Sequence, residues 1–342
     1  MIVLNKRLRL VVSRRICVAI SALATLLCAA EKPILIFNED DTHFLKKAPK
    51  EEFIRYFDSV CRGAVTHFFM CPNAMRSNVE SKYLEPVWKA LEEPGVKPGH
   101  AVNAKWLHDN GIDPYAIWAE RAREKGVSAW FTVRMNDIHF VSPSNYTYCG
   151  LSTLWKTRPE LRRDPNYRGH TWHWYAFDYA HREIREQHIG YIRELLGRYD
   201  VDGLELDWMR FTHHFKPGQE KENAHFLTEV VREARKAADN AAKRLGHPVK
   251  IGCRVTTSYQ GALEFGTDPV AWAKEGLIDM LVVCNFIATA DYNIPYKDWV
   301  DRIHVEDPHV IVVPGIDSGV EKETRRSGHS RQLLTVPELA GW

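Results

Sequence analysis

Two acids, Glu205 and Asp207, stand one residue apart in the stretch Tyr199–Phe211, which reads YDVDGLELDWMRF. Leu204, Leu206 and Trp208 alternate with Gly203, Glu205, Asp207 and Met209, which is the side-chain period of a strand. One face is therefore bulky and apolar, and the other carries two carboxylates with Asp207 nearer the carboxyl end. Charge inside a buried strand is either paired or functional. Two readings compete: a carboxylate available as nucleophile or general base, or a buried ion pair with an arginine such as Arg134 or Arg254. Asp207 is assigned the first role. Glu205, one layer below, fits either and is assigned as its buried electrostatic partner.

Other apolar runs also close on polar residues. Pro33–Phe37 ends in Asn38, Glu39, Asp40 and Asp41; Thr66–Cys71 in Asn73 and Arg76; Ser128–Val133 in Arg134, Asn136 and Asp137. Lys250–Thr257 contains Arg254, Asp279–Asn285 ends in Asn285, and Val310–Asp317 ends in Asp317. Between these runs lie segments of helical spacing: 50–61, 114–125, 181–199, 220–245, 268–276 and 295–303. Pro114 early and Gly126 past the end give one of them the usual start and stop signals. Residues 77–111 read as a connecting insertion. Residues 138–176 form a long loop rich in aromatics and histidine, a composition that serves equally to stack on sugar rings or to pin the loop to the body.

Strand and helix thus alternate seven times, which argues for a parallel sheet. The predicted fold is α/β, a (β/α)8 TIM barrel, with its active site at the carboxyl ends of the strands. A last helix opens at Thr335-Val336-Pro337-Glu338, and the chain stops at Trp342 with no eighth strand behind it. The expectation is a barrel incomplete at its C-terminus over 31–342, hence a fragment; an open or seven-stranded barrel is the alternative.

Composition narrows the class. The 342 residues are 45% hydrophobic and 26% charged, with a formal charge of +2. Residues 1–30 hold five basic side chains and no acid, so the remainder carries 41 basic against 44 acidic residues, a net −3. Such a body gives no electrostatic reason to expect nucleic acid. The same thirty residues, with an apolar run from Ile16 and small residues before Glu31, read as a secretory signal peptide and point to a secreted or periplasmic protein. The run is short for a membrane span, and no span is expected after cleavage. An uncleaved anchor is the alternative, and lipoprotein anchoring at Cys28 is disfavoured because Leu27 occupies a small-residue position. Five scattered cysteines remain, with no spacing for zinc or for a disulfide framework.

The motifs Phe177–Arg185 (FDYAHREIR) and Arg198–Asp207 (RYDVDGLELD), with Arg134-Met135-Asn136-Asp137, resemble the secreted bacterial glycosyl hydrolase-like barrels of the glycosyl hydrolase-like 10 type and their relatives. That resemblance implies a (β/α)8 barrel, a polysaccharide-processing context and the strand-four acid, here Asp207, as the site. Asp202–Met209 is also similar to the DGxDxDxE strand of chitinases, but Met209 stands where the acid glutamate belongs and cannot donate a proton. Hydrolysis of a glycosidic bond needs two carboxyl groups. The predicted catalytic set is Asp207, Glu205 and, as proton donor, Asp317 or Asp137; Glu39, Glu264 and Asp291 are further candidates for the second acid. Asn38, Glu39, Asp41, Arg134, Asn136, Trp208, Arg210, Arg254 and Asn285 are expected to contact an oligo- or polysaccharide, without metal or organic cofactor. His213-His214 is expected to face solvent or substrate. A non-catalytic carbohydrate-binding barrel is the rival class.

Overall fold

The computed structural model describes residues 33–40, 45–141, 146–169, 171–285 and 293–316, together with the backbone of 319–324 and 328–333. Seven strands form one sheet in chain order, every neighbouring pair parallel. They are β1 (Ile36–Glu39), β2 (His67–Met70), β3 (Ser128–Arg134), β4 (Gly203–Asp207), β5 (Lys250–Thr256), β6 (Met280–Cys284) and β7 (Ile311–Gly315). Helices Lys50–Val60, Pro114–Lys125, Arg182–Arg198, Glu220–Leu245, Pro269–Lys274 and Tyr296–Glu306 alternate with them. This is the architecture of a (β/α)8 barrel through its seventh unit. Among the described residues no strand bridges β7 and β1.

Local signals explain the helices. The Asp113 carboxylate accepts hydrogen bonds from the Tyr115 and Ala116 backbone, Pro114 follows it, and Gly126 takes the left-handed conformation at φ 67° that ends the helix. In Glu220–Leu245 the buried residues Leu227, Val230, Val231, Ala234, Ala237, Ala238 and Ala241 recur three and four apart, one stripe laid on the sheet.

The sheet is rolled, and its inner face proves it. Phe69 and Trp130, from β2 and β3, share one apolar cluster with Met280 and Val282 of β6, and Ile36, Ile311 and Val313 pack on it. Residues so far apart in strand order touch only if the sheet curves on itself. Trp130 lies on Phe69, ring centroids 5.1 Å apart and nearly parallel. Gly203 and Gly252 make room for it: a Cβ on Gly203 would fall 2.5 Å from the indole, and one on Gly252 3.2 Å. This indole is the floor on which the polar layer rests.

Three expectations need correcting. The insertion at 77–111 holds structure of its own, a 3-10 helix at Val87–Glu92 and a helix at Ala101–Asp109. A helix at Tyr259–Glu264, with Ser258 as cap, precedes the one read from 268 onward. After β7 comes an antiparallel hairpin, β8 (Gly319–Thr324) with β9 (Gly328–Leu333), where no element was read. The signal segment 1–30 and the helix opening at Thr335 lie outside the described residues. No described helix is long and apolar enough to cross a membrane.

Candidate active site

Register fixes which residues share the inner polar layer. Thr132 pairs with Glu205 and that with Gly252; Arg134 pairs with Asp207 and that with Arg254. With the period of two, Thr132, Arg134, Glu205, Asp207 and Arg254 all project inward, above Trp130.

Glu205 is fully buried. Its Oε2 accepts from the Thr132 hydroxyl at 2.5 Å and from Arg254 Nη2 at 2.9 Å, and Arg254 Nε donates to Oε1 at 3.3 Å. Burial pushes the Glu205 carboxyl above its usual range; Arg254 pulls it back, and the neighbouring Asp207 adds to the rise. The forked guanidinium holds a carboxylate that would otherwise be stranded in apolar surroundings.

Asp207 is spent differently. Its Oδ1 accepts from the backbone N–H of Met209 at 3.0 Å and of Arg210 at 2.9 Å, closing the turn after β4. Oδ2 faces Arg254 Nη1 at 3.9 Å, beyond a hydrogen bond. One oxygen anchors the loop and the other is left on the inner face at the carboxyl end of the strand.

A second network begins at the end of β3. Arg134 donates to Asp137 Oδ2 at 2.9 Å and also pairs with Asp40. Asp137 accepts the backbone N–H of His139 at 3.0 Å and its imidazole Nδ1 at 2.9 Å. His139 Nε2 lies 2.8 Å from Arg210 Nη2. Arginine offers only donors, so Nε2 accepts and His139 is neutral with its proton on Nδ1. Burial alone would raise the Asp137 carboxyl; the Arg134 guanidinium and the hydrogen bonds from the His139 ring and backbone oppose it and favour the charged form. Asp137 is thus engaged as an acceptor by Arg134 and by His139.

The remaining expected contacts divide. Asn38 is exposed on the inner side of β1, in register with Phe69, and Asn285 is half-buried just past β6. Glu39 follows Asn38 on the opposite face, toward the helices, where it is fully buried and takes the Tyr56 hydroxyl. Alternation along β1 thus removes it from the mouth. Asn136 is consumed by backbone: its amide donates to the carbonyls of Phe177 and His213 and accepts from the Phe177 N–H, at 2.9 to 3.1 Å. Trp208 belongs to the apolar face of β4 and is enclosed by Tyr179, His214 and Trp272, with no ring face offered to a ligand. Asp41, Asp291 and Asp317 lie outside the described residues, and Glu264 is exposed and bonded by Gln260.

The long loop is mainly a plug. Trp155 and Tyr175 are buried, and Phe211 wedges between His139 and Trp172. Phe140, at 63% exposure, and Tyr146, at 42%, are its outward rings among the described residues. Of the pair His213 and His214, the first is half-buried and the second buried. His214 is buried against Trp208, and His213 stacks on His173 with centroids 4.7 Å apart. Burial pushes His213 down to about 4 and His214 down to about 3, with Arg163 adding to both, so both are neutral near pH 7. Among the described residues no group of three or more His, Cys, Asp or Glu is placed to hold a metal, and the five cysteines are free thiols. His139 and Thr132 were not singled out in the sequence. The Asp-x-His spacing just beyond a strand end was the available signal for His139.

No family model matches the chain, so the glycosyl hydrolase-like 10 resemblance finds no family-level match, and no curated protein matches it in sequence. Solved structures match it in fold. A cycloisomaltooligosaccharide glucanotransferase of Paenibacillus sp. is 9% identical with TM-score 0.48, over 87% of this chain and 43% of that one. The spore cortex-lytic enzyme SleL of Bacillus megaterium QM B1551 is 9% identical with TM-score 0.46, over 90% and 56%. A GH20 β-N-acetylhexosaminidase of Streptomyces coelicolor A3(2) is 9% identical with TM-score 0.44, over 91% and 55%. The chain spans about half the length of these structures. At such identities and scores, the likeness assigns no chemistry to any residue of this chain.

Proposed function

We propose that the protein is a secreted or periplasmic glycoside hydrolase acting on an oligo- or polysaccharide, with Asp207 as nucleophile or general base. The observation that carries this is the division of labour within Asp207: Oδ1 is held by two backbone N–H groups, while Oδ2 sits on the inner face at the strand's carboxyl end. An anchored carboxylate whose second oxygen carries no hydrogen bond and only a 3.9 Å ion pair with Arg254 suits attack on an anomeric carbon, or on its water. Glu205 acts as its buried electrostatic partner, with Arg254 positioning Glu205 and Arg134 positioning Asp137. Asp317 is the carboxyl donor this reading allows.

One observation favours the rival, a carbohydrate-binding barrel without turnover. Glu205 and Asp137 are both committed to guanidinium groups, so neither is a free second carboxyl group. Screening the full-length protein against a glycan library separates the two. Hydrolysis that Asp207→Asn abolishes supports the enzyme; binding with no released reducing ends supports the binder. Asn keeps a carbonyl oxygen for the Met209 and Arg210 N–H groups, so the turn survives the substitution. Turnover undiminished in Asp207→Asn refutes the assignment.

A further inference from the structure

The described carboxylates leave a hydrolase short of a proton-transfer partner, and the geometry supplies one that is not a carboxylate. We propose that His139, backed by Asp137, is the acid–base residue working opposite Asp207, and that Arg210 is a latch which covers its Nε2. This rests on the reading of Asp207 as nucleophile.

Three observations converge on His139. Asp137 is buried and fixes the ring through both the backbone N–H and Nδ1, leaving Nε2 as the working nitrogen. This is the arrangement by which a carboxylate sets a histidine's tautomer for proton transfer. Next, one residue ties His139 to Asp207: the Arg210 backbone donates to Asp207 Oδ1, and its guanidinium donates to His139 Nε2. The two groups therefore lie within the reach of a single arginine. Finally, Phe140, directly after His139, is the one non-glycine residue with positive φ among the described residues, at 57°. A bulky residue stays in that conformation only where its surroundings impose it, and such places cluster at functional sites.

The latch follows from donor counting. Neutral His139 accepts from Arg210, but an imidazolium would set an N–H against a group that has no acceptor. Protonation of Nε2 therefore expels the guanidinium, whose Nε is already buried without a partner among the described residues. The charged groups around the ring are Asp137 and Arg210, with Arg134 behind Asp137. In the first step the Nε2 proton passes to the glycosidic oxygen as the C1–O bond breaks, and Asp207 Oδ2 bonds to C1. In the second, neutral Nε2 takes a proton from water, whose oxygen bonds to C1 while Asp207 departs as carboxylate. The proton given in one step is regained in the other.

The test uses the full-length protein and aryl glycosides of mono- to tetrasaccharides with two leaving groups, phenol and 2,4-dinitrophenol. Dinitrophenolate leaves without help, so a lost proton donor is felt only with phenol. For His139→Gln, kcat/KM should fall at least about 100-fold on phenyl glycosides and less than about 5-fold on dinitrophenyl ones. Its kcat on the latter should fall and recover with added azide, which attacks the glycosyl-enzyme without a base. Equal loss on both leaving groups, or no loss, overturns the proposal. If Asp207→Gly retains wild-type turnover, the assignment of Asp207 fails and this proposal with it, and if the wild type cleaves no aryl glycoside the hydrolase reading falls as well. Independent of turnover, ¹⁵N NMR of the free protein should show His139 protonated at Nδ1; an Nε2–H tautomer refutes the Asp137 pairing.

Discussion

The ion pair between Glu205 and Arg254 makes the sharpest test of how the inner layer is held. Arg254→Met removes two hydrogen bonds to a carboxylate that has no exposure, leaving it only the Thr132 hydroxyl. Breaking a buried pair from one side costs about 3–5 kcal/mol. Because the Arg254 side chain is 19% exposed, the lower end, about 3 kcal/mol, is expected. Glu205→Gln should cost less, about 1–2 kcal/mol, since the arginine it frees can turn to Asp207, already 3.9 Å away. The double variant Glu205→Gln/Arg254→Met has no charge to strand, so the two costs should fall short of adding by about 2 kcal/mol. The pH dependence has a definite sign. In Arg254→Met the folded-state pKa of Glu205, already raised by burial, loses its main opposing influence. A raised folded pKa gives stability that is complete below the unfolded value, near 4.5, and lost as pH rises through the folded one. The deficit of Arg254→Met should therefore shrink between pH 8 and pH 5. Urea denaturation followed by tryptophan fluorescence at the two pH values measures all of this. Additive single-variant costs, or a deficit that ignores pH, would show that the carboxylate and guanidinium do not depend on each other.

Gly203→Ala should destabilise the fold by about 1–3 kcal/mol, because its methyl group would meet the Trp130 indole at 2.5 Å, while Gly252→Ala, at 3.2 Å, should cost clearly less. Thermal melts of both variants check the order, and equal losses would mean that the indole does not form the barrel floor. His188 is fully buried, and burial pushes it down to about 4 from an ordinary 6.5. Its folded pKa is depressed, so stability is complete above 6.5 and lost as pH falls from there toward 4. The loss from His188 is about 3 kcal/mol. The same holds for His214, and His188→Gln should flatten the profile in denaturant titrations between pH 7 and pH 4. A His188→Gln profile as steep as the wild type's would refute the assignment.

What spacing could reveal was the inner face of β4, and what it could not was everything that crosses to another strand. Alternation set Glu205 and Asp207 opposite Leu204 and Leu206, and the rolled sheet obeys it. The same rule, applied strictly, would have kept Trp208 with the leucines and separated Glu39 from Asn38. Parity along the strand, and not polarity or nearness to its end, decides which residues reach the mouth. Asn136 fails for another reason. Its partners lie 41 and 77 residues away, and no local pattern in the sequence shows that an amide already serves two carbonyls. Arg76 is a similar case, buried and bridged to Glu85, Glu93 and the Leu151 carbonyl, so a polar strand end became a staple for the insertion. His139 combines the two situations. Its bond to Asp137 is local and legible as Asp-x-His, but the contact with Arg210, 71 residues on, is what fixes the tautomer. Residue types near strand ends therefore identify a site's ingredients, while hydrogen-bond accounting across strands decides which remain free to react. By that accounting Asp207 Oδ2 is on the free side of the line, and Glu205 and Asp137 are not.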